Sequence, residues 1–452
     1  MIRFSRRKVI FTVILGIGAI AQIVRGELTS GRSQRDAGDP RVRLVVMVAV
    51  DQLRGDLLMV YRSAFEAGLA RLLNEGRHYP NARVDHAPTN SMPGHVTLAT
   101  GARPRRHGIV DNGFFELVPG GQPAYVSAVA DSTERIVGHP TQPGVSPRRL
   151  AVDGLADWVV AGSQAAKSVA ISMNEYGALL HAGRGTERRT VYWFSPDAGR
   201  FVTSTFYHGD DPDWIRRFNA RLDPELLADS SWLSSVPAAI RPLALPDSVS
   251  YENGGRHVAI PHRYPAERDE EWKPTFAHWL YFTPYVDRVA IELSREAITT
   301  LQLGRRGVTD YLSITLGGSD GIGHWYGPRS QEQLDNLLRL DRDLGELLGF
   351  LDREIGAGRY VLALAADHGA PELPEAPPAP GAIDLGFGRP DRLTDSAVAD
   401  LFRELGQRAP RTLPPDSVRR LAADLLRSKP YVSAVMTRAE LADSVAPPAD
   451  SF

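Results

Sequence analysis

Val42-Arg43-Leu44-Val45-Val46-Met47-Val48-Ala49-Val50-Asp51 is a nearly unbroken run of apolar and β-branched residues closed by an acid. Without the alternation of a half-solvated strand, such a run predicts a strand buried on both faces of a parallel sheet. Asp51 then stands at a strand's C-terminal end. Open α/β sheets bind ligands at that edge, so its carboxylate is a candidate metal ligand as well as a candidate helix N-cap. Working outward, the pattern recurs. Ala166 to Met173 runs into Asn174-Glu175-Tyr176-Gly177, Asp310 to Leu316 into Gly317-Gly318-Ser319-Asp320-Gly321-Ile322-Gly323-His324, and Tyr360 to Ala366 into Asp367-His368-Gly369. Helical spacing marks Phe65, Leu69, Leu72 and Leu73, then Val152 to Val160, Tyr285 to about Leu301, and Gln331 to Arg353. Strands alternating with helices predict a three-layer α/β/α sandwich with a mostly parallel central sheet. Val191 to Phe194 and Phe201 to Tyr207, flanking Ser195 to Gly199, predict a β-hairpin. The text from His208 to Thr275, rich in Pro, Trp and charge, reads as part of a cap inserted at about 185–284.

Composition narrows the function. The 452 residues carry 52 Lys and Arg against 54 Asp and Glu, so no basic excess points to nucleic acid. There is no cysteine, hence no disulfide framework and no thiolate site; any metal is left to His, Asp and Glu. Arg3, Arg6, Arg7 and Lys8 precede an apolar run from Val9 to Ile20 and the small-residue pattern Ala19-Ile20-Ala21. This predicts a signal peptide over 1–21, a flexible leader over 22–40, and a catalytic domain over 41–452. A periplasmic or secreted bacterial protein follows, with no stable membrane span after cleavage, since the apolar run is short for a bilayer. Ser5-Arg6-Arg7 also faintly resembles a twin-arginine export signal.

The second decisive stretch is Pro88-Thr89-Asn90-Ser91-Met92-Pro93-Gly94-His95-Val96-Thr97-Leu98-Ala99-Thr100-Gly101. Proline is tolerated in a first helical turn, which puts Ser91 at a helix N-terminus as cap, ligand or nucleophile. Downstream, His107 reads as a histidine packed in a turn, and Asn112 as a turn residue or a donor to a phosphoryl oxygen. Asp320 and His324 can meet at one ion if their glycine-rich loop folds back. Three strand ends carrying Asp51, Asp320 with His324, and Asp367 with His368 suggest a binuclear oxygen/nitrogen metal site.

Val50-Asp51, Ser91-Met92-Pro93-Gly94-His95 through Thr100-Gly101, His107-Gly108-Ile109-Val110-Asp111-Asn112, Asp320 to His324 with Tyr326-Gly327-Pro328, and Asp367-His368-Gly369 together resemble the alkaline phosphatase superfamily. The likeness is to the branch holding nucleotide pyrophosphatase/phosphodiesterases and periplasmic phosphate-irrepressible alkaline phosphatases. It implies a phosphoester hydrolase acting on small-molecule phosphate esters with two zinc ions. Asp51, Asp367, His368 and Ser91 would hold one zinc, Asp320 and His324 would belong to the other, Ser91 would be the nucleophile, and Asn112 would hold a phosphoryl oxygen. Zinc coordination would lower the serine pKa for in-line attack and yield a phosphoseryl intermediate.

Two departures stand out. Where the periplasmic monoesterases place a Lys and an Arg against the doubly charged monoester, alignment puts Asn174 and Tyr176, so these are the candidate substrate-binding residues and the balance moves toward less charged esters. The family also closes its second zinc site with a histidine near the C-terminus, whereas His368 is the last histidine here. A strand is expected at Pro430 to Met436 and a short helix at Arg438 to Val445, after which the pattern breaks off, as in a C-terminally incomplete chain. The alternative to a hydrolase is a non-catalytic or truncated relative with an incomplete second site. No sulfatase modification motif is present.

Overall fold

The computed structural model describes residues 41–117, 123–222, 231–268 and 273–377, then 397, 399–401, 403–407, 414–430, 432 and 435–437. The expected signal peptide, leader and Arg438 to Val445 helix lie outside these residues. The chain divides into two compact units, the first ending at Pro371 and the second starting at Glu372, within what the sequence presents as one catalytic region.

In the first unit the elements that place the site are β1 (Leu44–Val50), α1 (Gly68–Glu75), α2 (Ser91–Thr100), α3 (Leu155–Gly162), β2 (Ser168–Ser172), α4 (Glu175–Ala182), β3 (Arg189–Ser195), β4 (Arg200–Val202), α5 (Phe276–Tyr281), α6 (Tyr285–Leu301), β5 (Asp310–Leu316), α7 (Gly318–Tyr326), α8 (Gln331–Leu351) and β6 (Tyr360–Ala365). Six strands form one sheet in the order β6-β1-β5-β2-β3-β4, parallel except for β4. Every residue of β1 is buried. Its alternate side chains serve different layers: Leu44, Val46, Val48 and Val50 pack with Leu69, Leu293, Ile298 and Leu344, while Val45 and Met47 pack with Leu155 and Val159. On that second face, Val96 of α2 and Leu179 of α4 pack with Val191 of β3. Each fully buried Val, Leu or Ile contributes about 1.5–3 kcal/mol, and it is the supply of such residues on both faces that makes a three-layer structure.

The expected hairpin is shorter than its sequence suggests. β3 and β4 pair through Trp193–Val202, Phe194–Phe201 and Ser195–Arg200, after which the chain turns away and Ser204 bridges to Ile136. These two strands, which the expected insertion at about 185–284 includes, extend the central sheet. The cap text, which lacked a clear period, contains a helix at Asp213–Arg221 whose Trp214, Ile215 and Phe218 are buried.

The largest correction concerns Gly317 to His324, read as a loop. Gly317 is the N-cap and Gly318 to His324 form most of α7. Glycine in a helix costs about 1 kcal/mol relative to alanine, but α7 is packed between other elements and most of it is buried, so tertiary contacts outweigh propensity. In the second unit the helix Pro415–Arg427 buries Ala423 and Leu425; of the strand expected at Pro430 to Met436, residues 431, 433 and 434 lie outside the described residues, and Val432, Val435 and Met436 carry no strand pairing among the described residues.

One long-range cap is worth a test. Ala67 precedes α1 and has no side chain to cap it. The buried carboxylate of Asp341, on α8, instead accepts the N–H groups of Glu66, Ala67, Leu69 and Ala70 at 2.8, 2.9, 2.7 and 3.2 Å. Asp341→Ala is expected to destabilise the fold by about 3 kcal/mol, because it strands several helix-end donors. Urea unfolding checks this; a loss under about 1 kcal/mol would mean that water replaces the carboxylate.

Candidate active site

The strand register brings the candidate residues to one level. Val50 faces Leu316, Ala49 faces Ala365 and Thr315 faces Ser172, so β6, β1, β5 and β2 end side by side. Asp51 follows β1, Asp367 follows β6, and Asn174 follows β2. α7 springs from the end of β5 and carries Asp320 and His324 one helical turn apart, on the same face.

Ser91 is the first residue of α2 and is nearly buried. Asn90, at the N-cap position, does not cap the helix; its amide donates to Asp111 Oδ1 at 2.5 Å. Met92 N–H is taken by Asn112 Oδ1 at 2.9 Å and Pro93 has none, so the helix end offers an anion fewer backbone donors than its position suggests. That bond fixes Asn112 beside the serine and leaves its NH₂ group without a partner among the described residues. Gly94 lets α2 come this close: a Cβ there would stand 2.5 Å from the carbonyl oxygen of Asp367.

Ser91 Oγ lies 3.1 Å from His368 Nε2. The same nitrogen is 3.5 Å from both Asp51 Oδ1 and Asp367 Oδ2. Those two oxygens are buried and have no hydrogen-bond partner among the described residues. Two unbonded carboxylate oxygens facing an imidazole nitrogen are costly unless something cationic joins them. Asp51, Asp320 and His368 also form one group whose ligand atoms lie within 4.8 Å of one another, and Asp51, His95 and Asp367 form a second. Oxygen and imidazole donors of this kind suit zinc and related divalent ions.

Electrostatics agree. Burial pushes the Asp51 carboxyl up, but its hydrogen bond with His95 and the nearby His95 and His368 rings outweigh that and hold it low. Burial, then the charge of Asp51, pushes Asp367 well up. Two carboxylates this close resist ionising together without a cation. His324, whose side chain is 67% exposed, sits 3.2 Å from Asp320 Oδ1, and that hydrogen bond raises its pKa despite burial nearby.

The two substrate-binding candidates each have a partner within the protein. Asn174 caps α4, its Oδ1 accepting Gly177 N–H at 2.8 Å, and the Tyr176 hydroxyl donates to Asp51 Oδ2 at 3.1 Å. Burial and the Asp51 charge raise the Tyr176 pKa well above its ordinary value, so it remains a neutral donor. His107 is fully buried, its pKa pushed down to about 4 by burial, and it belongs to neither ligand group.

Three residues escaped the sequence reading. His95 lies one turn after Ser91 on α2, with Nε2 at 3.4 Å from Asp51 Oδ2 and 3.5 Å from Asp367 Oδ2. Its Nδ1 meets His181 Nε2 at 3.2 Å, and burial holds His181 far below the ordinary histidine pKa. With His95 Nε2–H donating to Asp51 Oδ2, its Nδ1 accepts from His181 Nε2–H, which makes His95 a support for that acid. The i,i+4 spacing from Ser91 was the available signal. Gln52 is the third: its backbone N–H donates to Asp367 Oδ1 at 3.1 Å and its Nε2 to Asp320 Oδ1 at 2.7 Å. Nothing in the local sequence marked it.

Residues 45–379 match the family described as Type I phosphodiesterase / nucleotide pyrophosphatase. The chain is 31% identical over 340 residues to alkaline phosphatase PhoV of Synechococcus elongatus, covering 74% of this chain and 60% of that protein. It is 30% identical over 394 residues to alkaline phosphatase PafA of Elizabethkingia meningoseptica, covering 85% of this chain and 68% of that one. The chain thus spans between about three fifths and two thirds of the length of these curated relatives. The crystal structure of wild-type PafA superposes with a TM-score of 0.75 at 28% identity, covering 90% of this chain and 81% of that one.

Proposed function

The chain belongs to the type I phosphodiesterase / nucleotide pyrophosphatase family, and from that premise we propose that it is a secreted, zinc-dependent phosphoester hydrolase that works through a phosphoseryl intermediate on Ser91. One observation carries the reading: Ser91 Oγ at 3.1 Å from His368 Nε2, beside the two unbonded oxygens of Asp51 and Asp367. When bound by Asp51, Asp367 and His368, with Asp320 and His324 serving a second ion, zinc supplies Lewis acidity toward the serine and the phosphoryl oxygens.

The chain's own residues do the rest. α2 presents the Ser91 hydroxyl to the phosphorus; its oxygen gives up its proton and forms a bond to phosphorus as the bond to the leaving oxygen breaks, a proton ending on the leaving alcohol, and water then displaces Ser91, one of its protons restoring the hydroxyl. Asn112, fixed by Met92 N–H, donates to a phosphoryl oxygen as charge builds. His95 and the Tyr176 hydroxyl hold the carboxylate of Asp51 in place, and the Gln52 N–H holds that of Asp367. Export rests on the signal peptide expected over 1–21, and the N-terminus of the mature protein decides it. Among the described residues no helix is long and apolar enough to cross a membrane.

The named relatives are alkaline phosphatases, yet at the two clamp positions this chain has a helix cap and a neutral tyrosine hydroxyl. A monoester dianion loses more from that than a diester monoanion. Zinc analysis of the purified chain alongside hydrolysis of p-nitrophenyl phosphate and bis(p-nitrophenyl) phosphate tests both points. We expect zinc with turnover, and kcat/KM for the diester higher by about tenfold or more, the equivalent of one lost charge-assisted hydrogen bond. Monoester preference would mean that a cation from another element meets the second charge. A metal-loaded chain with no turnover of either ester would favour a non-catalytic relative.

A further inference from the structure

We propose that Gln52 is a positioning residue that holds the two metal half-sites at a fixed spacing. The inference rests on the metal reading above. Gln52 is only 4% exposed and adopts φ of 62°, the left-handed region that a non-glycine residue enters at a cost on the order of 1 kcal/mol. That conformation turns its backbone N–H toward Asp367 Oδ1 and its side chain toward α7, so that one residue grips an acid from each half-site, at 3.1 and 2.7 Å.

The grip on Asp367 leaves its second oxygen available. Asp367 Oδ1 is occupied by the N–H, while its Oδ2 stands unbonded next to His368. Asp320 Oδ1 takes the Gln52 amide along with His324, so the amide restrains a carboxylate whose side chain is otherwise 22% exposed. α7 is shaped around this contact. A Cβ at Gly323 would fall 2.2 Å from Gln52 Oε1, so the space that glycine leaves is filled by the amide. The plain alternative is a buried amide that merely satisfies its own hydrogen bonds, and it predicts no selective effect on either half-site.

Gln52→Asn separates the two. Asparagine tolerates the left-handed region better than glutamine and keeps the N–H to Asp367, but its side chain is one methylene shorter and falls short of Asp320. Zinc affinities of the wild-type and Q52N chains are measured by competition with a chromogenic chelator, together with the thermal midpoint of each metal-stripped chain. The expected result is a 10- to 100-fold weakening of one of two zinc sites, the other site and the metal-free midpoint staying as in the wild type. Gln52→Met, similar in length but without the donor, should reproduce the selective loss. Unchanged affinity at both sites would overturn the inference, as would parallel weakening of both with a lowered metal-free midpoint. A wild-type chain that takes up fewer than two zincs overturns the metal reading and this inference with it.

Discussion

Ser91→Ala should reduce diester turnover by on the order of 10⁴-fold or more while leaving zinc content unchanged. Within the ligand constellation the serine is the residue placed to serve as a covalent acceptor at the start of α2, and its Oγ is already within 3.1 Å of His368. The other hydroxyls of the same helix are committed elsewhere: Thr97 Oγ1 donates to the Pro93 carbonyl at 2.8 Å and Thr100 Oγ1 to the Val96 carbonyl at 2.6 Å. Neither can take over. Removing Oγ leaves Asp51, Asp367 and His368 intact, so metal uptake should persist and the loss should be chemical. Acid-quenched reactions with a radiolabelled monoester should trap a phosphoenzyme in the wild type and none in the variant. If S91A retains more than about a tenth of the activity, the nucleophile assignment falls.

Stripping metal should be nearly as severe. Dialysis against a chelator is expected to abolish turnover to within about a thousandth of the starting rate, and added zinc to restore it. Stability should follow. Asp51 and Asp367 are close neighbours in a buried site, with Oδ1 of one and Oδ2 of the other unbonded among the described residues. A cation joins those oxygens and relieves the repulsion that now pushes Asp367 up. Zinc at a thousandfold excess over its Kd should stabilise the fold by about 4 kcal/mol, visible as a higher thermal midpoint. A chain whose rate and midpoint ignore the chelator would remove zinc from the mechanism.

Much of this was legible in the linear text. The strands β1 and β5 were recognisable because strands buried between two layers need apolar residues at nearly every position. β6, read as buried in the same way, is found as a strand but is only half-buried, because it ends the sheet and has one strand neighbour among the described residues; the acids Asp51 and Asp367 still stood out against these apolar runs. α6 matched its periodicity at both ends. α7 did not, because Gly318, Gly321 and Gly323 are poor helix formers by themselves; the close approach of Asp287, Phe282 and Gln52 to them explains their presence. Likewise the roles of Asn174 and Tyr176 were left open by spacing alone, since a cap and a substrate ligand can use the same side chain.

The sequence by itself determined the layered α/β architecture, the strand ends that carry chemistry, and the family, because burial periodicity and short motifs are local properties of the chain. Only the tertiary structure decided which oxygen meets which nitrogen. Gln52 reaches Asp320 across 268 positions and Asp367 across 315, and Asp341 caps α1 across 272. Contacts of that span are set by the register of β1 between β5 and β6 and by the close approach that Gly94 permits, which no local pattern encodes.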